Sequence, residues 1–339
     1  MAERAWTDTA VCLGHPEYPG SGEESDLMRR LDRSGVEKAW IFAYDSIASH
    51  DFSSGNRKVR DVVRRHPDRL VPIGLINPFM AFPMTDWLLD EGFAGIKLIA
   101  GWGNWLTIAN MRRLVGPVAK ALEARKRHIS ITVEGNNPTR GGTVWIPMVI
   151  REMAPDLAIV VDRCTIARGW EDYMALAETD PSLWFNVGTI PQGLLARVVG
   201  RIGAQRLLLG SWSPETDPDL LMTQFERAAP ASPPIASLAA GNAVRVLSGL
   251  PPVGAAKAPS QVAGPNKLSE EDALQYLTWE NMNFTATPYG VMTTANWMKS
   301  IGVIPKAPED IREILFPVAS AIVGRAYGEP SGVEKLQGK

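Results

Sequence analysis

Cysteine is scarce in this chain. Its 339 residues include only two cysteines, Cys12 and Cys164, and no Cys-x-x-Cys pair occurs. So few cysteines exclude a disulfide-stabilised scaffold. The opening residues, MAERAWTD, are polar and lack the apolar core of a secretory signal. We therefore expect a reducing, cytoplasmic compartment.

A surplus of one charge and a long apolar run are also missing. The 35 Lys+Arg nearly balance the 37 Asp+Glu, so the formal net charge is -2. This balance argues against binding to nucleic acid or to an anionic membrane, and no apolar stretch is long enough to span a bilayer. With 45% hydrophobic and 21% charged residues, the composition is typical of a soluble globular protein. We expect a small-molecule substrate or ligand as its partner.

Strand-like and helix-like runs alternate through about the first 250 residues. Eight runs are short, apolar and rich in β-branched or aromatic residues, with helical patterns between them. Such units predict a closed (β/α)8 TIM-like barrel, of class α/β. A doubly wound open sheet is the alternative, but it usually has fewer strands, and no Gly-x-Gly-x-x-Gly follows the first strand. The predicted strands are Arg4–Cys12, Val36–Tyr44, Leu70–Asn77, Gly95–Trp102, His128–Gly135, Ala158–Cys164, Leu183–Ile190 and Arg206–Ser213.

The rest of the chain predicts a linker and a C-terminal helical extension. Residues 250–267 are rich in Pro, Ala and Gly without a period, which is typical of a linker. Residues 268–339 begin with a capping box, SEED at 269–272, and carry an apolar helical stripe, Ile311–Val323. We expect this extension to pack on the barrel (1–249) or on a partner. The chain is then a homo- or hetero-oligomer through barrel faces or tail helices.

Five segments carry a family resemblance: DRSGVEKAWIF from Asp32, HPDRLVPIGLINP from His66, GFAGIKLI from Gly92, RLLLGSWSPETDP from Arg206 and GNAVRVL from Gly241. In this order they resemble the amidohydrolase-related (amidohydrolase 2) family of the metal-dependent hydrolase superfamily, which includes carboxylate decarboxylases and lactonases. The resemblance covers about residues 5–250. It implies a (β/α) barrel with its site at the C-terminal strand ends.

The resemblance fails where that family binds its metal. Ala10 and Cys12 stand in place of the two histidines of the family's first strand. Val133 and Arg163 align with histidines on the fifth and sixth strands, where the alignment allows a shift of one residue. Trp212 aligns with the aspartate of the eighth strand. Every ligand position is therefore changed.

This loss bears directly on the chemistry. A metal centre needs three or four converging N, O or S ligands, and Ala10, Val133 and Trp212 offer none. Arg163 is a permanent cation, and the whole chain has only four histidines. We expect no bound metal and no other cofactor. Metal-activated water, the family's usual nucleophile, is then not available by the usual route.

Arg163 is the foremost catalytic candidate. Its guanidinium can bind a substrate carboxylate or stabilise an oxyanion. The alternative is an ion pair inside the barrel with Asp8 or Glu134, because an unpaired buried arginine is very costly. Cys12, on the inward face of the first strand, can act as a nucleophile if a base lies near. A small buried apolar residue is the commoner role of a free cysteine.

Two carboxylates stand at predicted strand ends. Glu134 and Asp162 can serve as general acid or base. Alternation along each strand points them away from the inward neighbours, Val133 and Arg163, which favours a structural role.

Lys97 and two histidines complete the polar candidates. Lys97, in the GIKL run, either approaches the barrel mouth or forms a salt bridge in the helix layer. His15 and His50 fall in loops after the first two strands, where a histidine either transfers protons or is simply solvated.

Tryptophan is unusually abundant. The chain has 11 Trp against 9 Phe and 6 Tyr, although Trp is usually the rarest of the three. A rim of Trp could line a pocket for a planar or apolar ligand, or provide a landing surface for the helical tail. Those at or just after strand ends are Trp102, Trp105, Trp145, Trp170 and Trp212.

Two functions remain open. The first is a metal-independent hydrolase, lyase or cyclase that acts on an apolar or planar carbonyl or carboxylate compound, with Arg163 in the metal's electrostatic role. The second is a catalytically inactive pseudoenzyme subunit or binding protein that partners a metal-competent paralogue. We favour the enzyme slightly, because the Trp-rich rim and the arginine suggest a pocket that has been kept.

The tail has a weaker resemblance of its own. NFTATPYGVMTTANWMKSIGVI, from Asn283, is similar to the closing segment of sulfonate- and nitrate-type substrate-binding proteins. It covers a small part of the chain, and we do not expect a transport role.

The changed ligand positions predict that the protein holds no tightly bound transition metal. Elemental analysis of protein purified without added metal should find well under one equivalent of zinc, manganese or iron. Near-stoichiometric metal that is lost on mutating residues of the barrel mouth would contradict this prediction.

Overall fold

A closed parallel barrel forms the core of the computed structural model, which describes residues 6–15, 17–18, 20–46, 52–78, 81–99, 111–132, 145–163, 170–188, 192–228 and 235–254. Eight strands lie in chain order, and each is parallel to the next. The predicted (β/α)8 TIM-like barrel is confirmed. The strands are β1 (Trp6–Cys12), β2 (Val36–Phe42), β3 (Leu70–Leu75), β4 (Gly95–Ile99), β5 (His128–Thr132), β6 (Ala158–Asp162), β7 (Trp184–Val187) and β8 (Leu207–Leu209).

The barrel closes where the segment after β8 meets β1. Trp212 N donates to the carbonyl of Ala10 (2.7 Å), and Cys12 N donates to the carbonyl of Ser213 (2.9 Å). Val11 and Ser213 form a parallel bridge. An open sheet would leave these backbone groups unpaired at its edge, so the doubly wound alternative is wrong.

Helices follow the strands around the outside. A short π-helical turn, Met111–Val115, precedes the fourth helix. The helices of the described residues are α1 (Glu24–Arg33), α2 (Phe52–Arg65), α3 (Ala81–Asp90), α4 (Gly116–Ala124), α5 (Trp145–Met153), α6 (Trp170–Thr179), α7 (Gln192–Ile202), α8 (Pro218–Ala228) and α9 (Ile235–Leu247).

Alternation along the strands separates two apolar clusters. Residues such as Ile41 and Ile129 point outwards and pack with the helices in the larger cluster. Residues such as Phe42, Leu75 and Val160 point inwards and fill the barrel. The period of two therefore decides which side chains reach the interior.

Each predicted strand begins within two residues of the observed start, but β2, β3, β6, β7 and β8 all end two to four residues earlier than expected. Arg163, directly after β6, has a left-handed backbone (φ 60°), and so does Trp212 (φ 56°) after β8. Extended backbone cannot continue through that conformation, which is uncommon for residues other than glycine. The strained residues stand at the C-terminal mouth of the barrel.

The interior holds a fully buried histidine near the opposite end of the strands. The ring of His128, at the start of β5, stacks at 4.8 Å from that of Trp40. It lies directly over Gly95, where a Cβ atom would come within 2.3 Å of the imidazole. Only glycine at position 95 leaves room for this ring. Burial lowers the pKa of His128 to about 3.

The last described helix, α9, is attached to the barrel by apolar packing and by two side-chain hydrogen bonds. Ala243 and Val246 join the interior cluster. Buried Asn242 donates its side-chain N–H to the carbonyls of Ala204 (2.9 Å) and Leu207 (2.8 Å). This helix therefore anchors the beginning of β8.

The predicted linker and tail lie almost wholly outside the described residues. The chain divides into two units between Ser260 and Gln261, within the predicted linker 250–267. The helical extension (268–339) and its docking remain predictions. Within the described part of the chain, no helix combines the length and apolarity that crossing a bilayer requires.

His128 should make the folded state sensitive to acid. Its pKa is about 3 in the fold and roughly 6.5 when unfolded, so only the unfolded chain gains this proton between those values. The free energy of unfolding should fall as pH drops through that window, by about 1.4 kcal/mol per pH unit from this group. His128→Leu should flatten the profile, measured by urea unfolding from pH 7 to 4. Ile129→Val, on the same strand, should keep the wild-type slope, and a His128→Leu profile as steep as wild type would refute the assignment.

Candidate functional site

A buried ion pair stands inside the mouth of the barrel. Lys97 of β4 contacts the carboxylate of Asp162 at the end of β6 through its Nζ, and both side chains are 1% exposed. The Oδ atoms of Asp162 also accept from Thr132 Oγ1 (3.3 Å) and Trp212 Nε1 (3.2 Å). The carboxylate is thus held by three donors from three different strands or strand ends.

Aromatic faces surround the ammonium. Lys97 Nζ lies 4.4 Å from the ring centre of Phe42 and 4.5 Å from that of Trp212. These two rings pack edge to face, with centroids 5.0 Å apart. Such contacts stabilise a cation that has lost its water.

A second cation contacts the same indole. The guanidinium carbon of Arg163 lies 4.2 Å from the centre of the Trp212 ring. Arg163 also forms an ion pair with Glu215, with Nη2 to Oε2 at 2.5 Å and Nη1 to Oε1 at 3.4 Å. This pair is less enclosed than the inner one, because its side chains are 13% and 22% exposed.

His15 completes the outer network. Its Nδ1 accepts from the backbone N–H of Glu17 (3.2 Å), so a neutral ring carries its proton on Nε2 and donates to Glu215 Oε1 (3.0 Å). Its ring packs at 4.8 Å from Tyr44 and 4.9 Å from Tyr18. Glu215 therefore links His15 to Arg163.

Asp8 binds together β1 and the segment after β8, which form the closing seam of the barrel. Its Oδ1 accepts from the backbone N–H of Ala10 (3.1 Å) and of Ser211 (3.0 Å), and the Ser211 hydroxyl lies 2.5 Å from Oδ2. Burial raises the pKa of Asp8 to about 7, although the hydrogen bonds from Ser211 and Ala10 act in the opposite direction. The carboxyl is a structural link between β1 and the segment after β8.

Solved structures with a similar barrel show what fold this site is built on. 2,6-Dihydroxybenzoate decarboxylase from Rhizobium matches with a TM-score of 0.56 and 13% identity, covering 73% of this chain and 99% of that one. A probable 2-pyrone-4,6-dicarboxylic acid hydrolase from Acinetobacter baumannii, with citric acid bound, matches with a TM-score of 0.53 and 12% identity over 71% and 98%. An uncharacterised TIM-barrel protein from Bordetella bronchiseptica matches with 0.57 and 18% over 72% and 99%.

These structures share the (β/α)8 barrel fold of this chain. Another neighbour, from Staphylococcus aureus, is a putative amidohydrolase, which agrees with the resemblance drawn from the sequence. No family model matches the sequence, and no curated protein does either. At these identities the likeness establishes the fold alone.

The described residues do not fit a metal centre of the kind the resemblance implies. Among them, no three His, Cys, Asp or Glu side chains cluster so that they could hold an ion. Ala10 is apolar, and Asp162 is already neutralised by the ammonium of Lys97. The indole of Trp212, only 1% exposed, fills the space beside that carboxylate.

The expected orientation of the residues at the end of β6 is wrong. Asp162, not Arg163, is the inward residue of β6, since inward positions run through Val160 to Asp162. For Lys97, the first of the two alternatives holds, because it pairs with Asp162 inside the barrel mouth and not in the helix layer. The error at β6 is the one-residue shift left open by the alignment, and counting alternation from the start of β6 would have found it.

The ion-pair alternative for Arg163 holds in this structure, but with another partner. Glu215, which sequence reasoning missed, forms an ion pair with Arg163, whereas Asp8 bonds to Ser211 and Glu134 lies outside the described residues. The only signal of Glu215 is its position just after the turn that follows β8. Arg163 is also strained, as described above, and strain of about 1–3 kcal/mol is typical of functional positions.

Cys12 is brought to the site as a buried thiol. Its Sγ lies 3.8 Å from the carbonyl oxygen of Trp212. Burial, followed by the charge of Glu215, raises the pKa of Cys12 well above its usual range. These surroundings favour the apolar role over the nucleophile, because the thiolate is the reactive form.

Among the remaining candidates, Trp145 is the one that the described residues place away from this site. Trp145, at the start of α5, packs against the outer core. Trp170 begins α6. The candidates that lie outside the described residues are Glu134, His50, Trp102 and Trp105.

Removing one member of the inner pair, Lys97 and Asp162, should lower the free energy of unfolding more than neutralising both members does. Lys97→Met strands a buried carboxylate and should lower the free energy of unfolding by about 3–5 kcal/mol. Lys97→Met with Asp162→Asn keeps an acceptor for Trp212 and Thr132, so it should lose less than the single variant. Chemical denaturation measures all three. Arg201→Met, which breaks an exposed pair with Glu178, should cost less than about 1 kcal/mol. An additive double variant would show that the pair is not coupled.

Proposed function

We propose that this chain is an amidohydrolase-like enzyme that works without a metal ion. Its substrate is an apolar or planar carbonyl or carboxylate compound, and the reaction is a hydrolysis, a lyase step or a cyclisation. Two fixed side-chain cations take over the electrostatic role of the metal.

The observation that carries this proposal is the shared indole. Lys97 and Arg163 both contact Trp212, at 4.5 Å and 4.2 Å, at the C-terminal end where barrel enzymes build their sites. Positive charge placed in advance beside an apolar surface suits a planar anion or a developing oxyanion.

The two cations have different roles in the proposal. The inner pair of Lys97 with Asp162 is 1% exposed, whereas Arg163 and Glu215 retain 13% and 22% exposure. A substrate carboxylate can therefore compete with Glu215 for the guanidinium of Arg163, which binds carboxylates through two parallel hydrogen bonds. His15, bonded to Glu215, is the nearby group that can accept or deliver a proton once Glu215 is displaced.

The comparisons support the substrate class. The names of similar structures include a decarboxylase with bound 2,6-dihydroxybenzoate and 5-carboxyvanillate decarboxylase from Sphingomonas paucimobilis. 2,6-Dihydroxybenzoate and 5-carboxyvanillate are aromatic carboxylates. Compounds of this kind suit the combination of aromatic faces and cations found here.

A specific observation also favours the second candidate, a non-catalytic subunit. Each of the four charges named above already has a partner inside the protein. In that case Arg163 only neutralises Glu215, and the site serves to hold the barrel mouth together.

Binding of 2,6-dihydroxybenzoate separates the two candidates. If Arg163 takes the substrate carboxylate, Glu215→Gln should bind it more tightly than wild type, because the internal competitor is gone. Arg163→Met should weaken binding about tenfold to a hundredfold, the equivalent of a lost charge-assisted hydrogen bond. The double variant should bind as weakly as Arg163→Met. Isothermal titration calorimetry gives all four values.

Thermal stability supplies the complementary measurement, with Arg201→Met as a matched surface control. The enzyme proposal fails if Arg163→Met binds as wild type does. It also fails if no variant binds while Arg163→Met lowers the melting temperature and the double variant restores it, because that pattern describes a purely structural pair.

A further inference from the structure

We infer that Lys97 is a covalent nucleophile: its amine forms an iminium with the ketone of a β-keto carboxylate and so promotes decarboxylation. This inference rests on the proposed function and names its reaction and substrate class. Lysine amines form such adducts with carbonyl compounds in general, and the chemistry requires no metal.

The position of Lys97 suits the role. Its side chain projects into the barrel from β4, beside the C-terminal end of β6 that carries Asp162. It is held by one carboxylate and two aromatic faces, so Nζ has one defined location. A lysine that only served solubility would not be 1% exposed.

Asp162 can exchange the proton that the reaction needs. It contacts Lys97 Nζ directly, so the ammonium can pass one proton to it and become a free amine. Trp212 Nε1 and Thr132 Oγ1 hold the same carboxylate. Asp162 therefore keeps its place while its protonation changes.

The aromatic cage suits the intermediate. An iminium carries the same single positive charge as the ammonium it replaces. The faces of Phe42 and Trp212, 4.4 and 4.5 Å from Nζ, can stabilise either cation.

Arg163 supplies the second point of attachment. Its guanidinium contacts the same indole ring as Lys97 does, at 4.2 Å against 4.5 Å. In a β-keto carboxylate, the carboxylate is separated from the ketone carbon by a single carbon. The ketone would face Lys97 and the carboxylate would face Arg163.

The steps balance without an oxidant or reductant. The amine adds to the ketone carbon, and the carbinolamine oxygen leaves as water with the proton held by Asp162. The bond to the carboxylate then breaks, carbon dioxide leaves, and its electron pair passes to the iminium nitrogen to give an enamine. The enamine carbon takes a proton, and water releases the shorter ketone and restores Lys97. The net change is a β-keto carboxylate plus one proton giving a ketone and carbon dioxide.

Borohydride trapping tests this directly on the full chain. Benzoylacetate, a planar β-keto carboxylate, is incubated with the protein and sodium cyanoborohydride, and intact mass and peptide mapping follow. We expect one reduced adduct per chain, on the peptide that contains Lys97. Lys120→Met, which removes an exposed lysine of α4, should leave this adduct unchanged.

A conservative variant guards against misfolding. Lys97→Arg keeps a cation for Asp162 but cannot form an iminium. It should fold, still bind 2,6-dihydroxybenzoate through Arg163, and lose both the adduct and the release of carbon dioxide from benzoylacetate. If Lys97→Arg does not fold, Asp162→Asn is used instead and should slow adduct formation at least tenfold.

The outcomes separate this inference from the proposed function. If 2,6-dihydroxybenzoate binds through Arg163 but Lys97 is never labelled, the covalent role is wrong and the proposed function stands. If neither occurs, both fail. Labelling spread over several lysines, or equal in wild type and Lys97→Arg, also overturns the inference.

Discussion

The buried ion pair between Lys97 and Asp162 is the constraint on which the barrel mouth depends. Taking two charges out of water is costly, and only close pairing with further hydrogen bonds offsets that cost. Thr132 and the Trp212 indole N–H provide those bonds, and Phe42 and Trp212 surround the ammonium. Once the pair is buried, the positions of these side chains are therefore largely determined.

Trp212 connects this pair to the rest of the molecule. Its backbone N–H closes the barrel on Ala10, its indole N–H holds Asp162, and its ring contacts Arg163. The left-handed backbone at Trp212 is strained, and the seam bonds around Asp8 and Ser211 support it. Through Arg163 the network continues to Glu215 and His15. A substitution at the barrel mouth should therefore alter both ligand binding and the free energy of unfolding, because the mouth is bonded to the segment that closes the barrel.

Much of the site could be anticipated from local sequence, but its connections could not. Trp212 and Arg163 stand out because they align with expected ligand positions, and Lys97 stands out as the charged residue of the GIKL run. The pairing of Lys97 with Asp162 joins residues 65 positions apart, and Arg163 with Glu215 joins residues 52 apart. No local pattern connects such positions. An alignment shifted by one residue also reverses which side chain is inward, since the period of a strand is two.

The sequence by itself determined the number, order and starts of the strands, because apolar alternation and the intervening helical patterns are properties of short segments. Through the family resemblance, it also predicted that the usual ligand residues are replaced. Only the tertiary structure decided that the barrel closes through Trp212 and Ser213, that Asp162 faces inward, and that each cation has its particular carboxylate. Those outcomes depend on strand register and on the cost of leaving a buried charge unpaired. Both are settled only when distant segments meet.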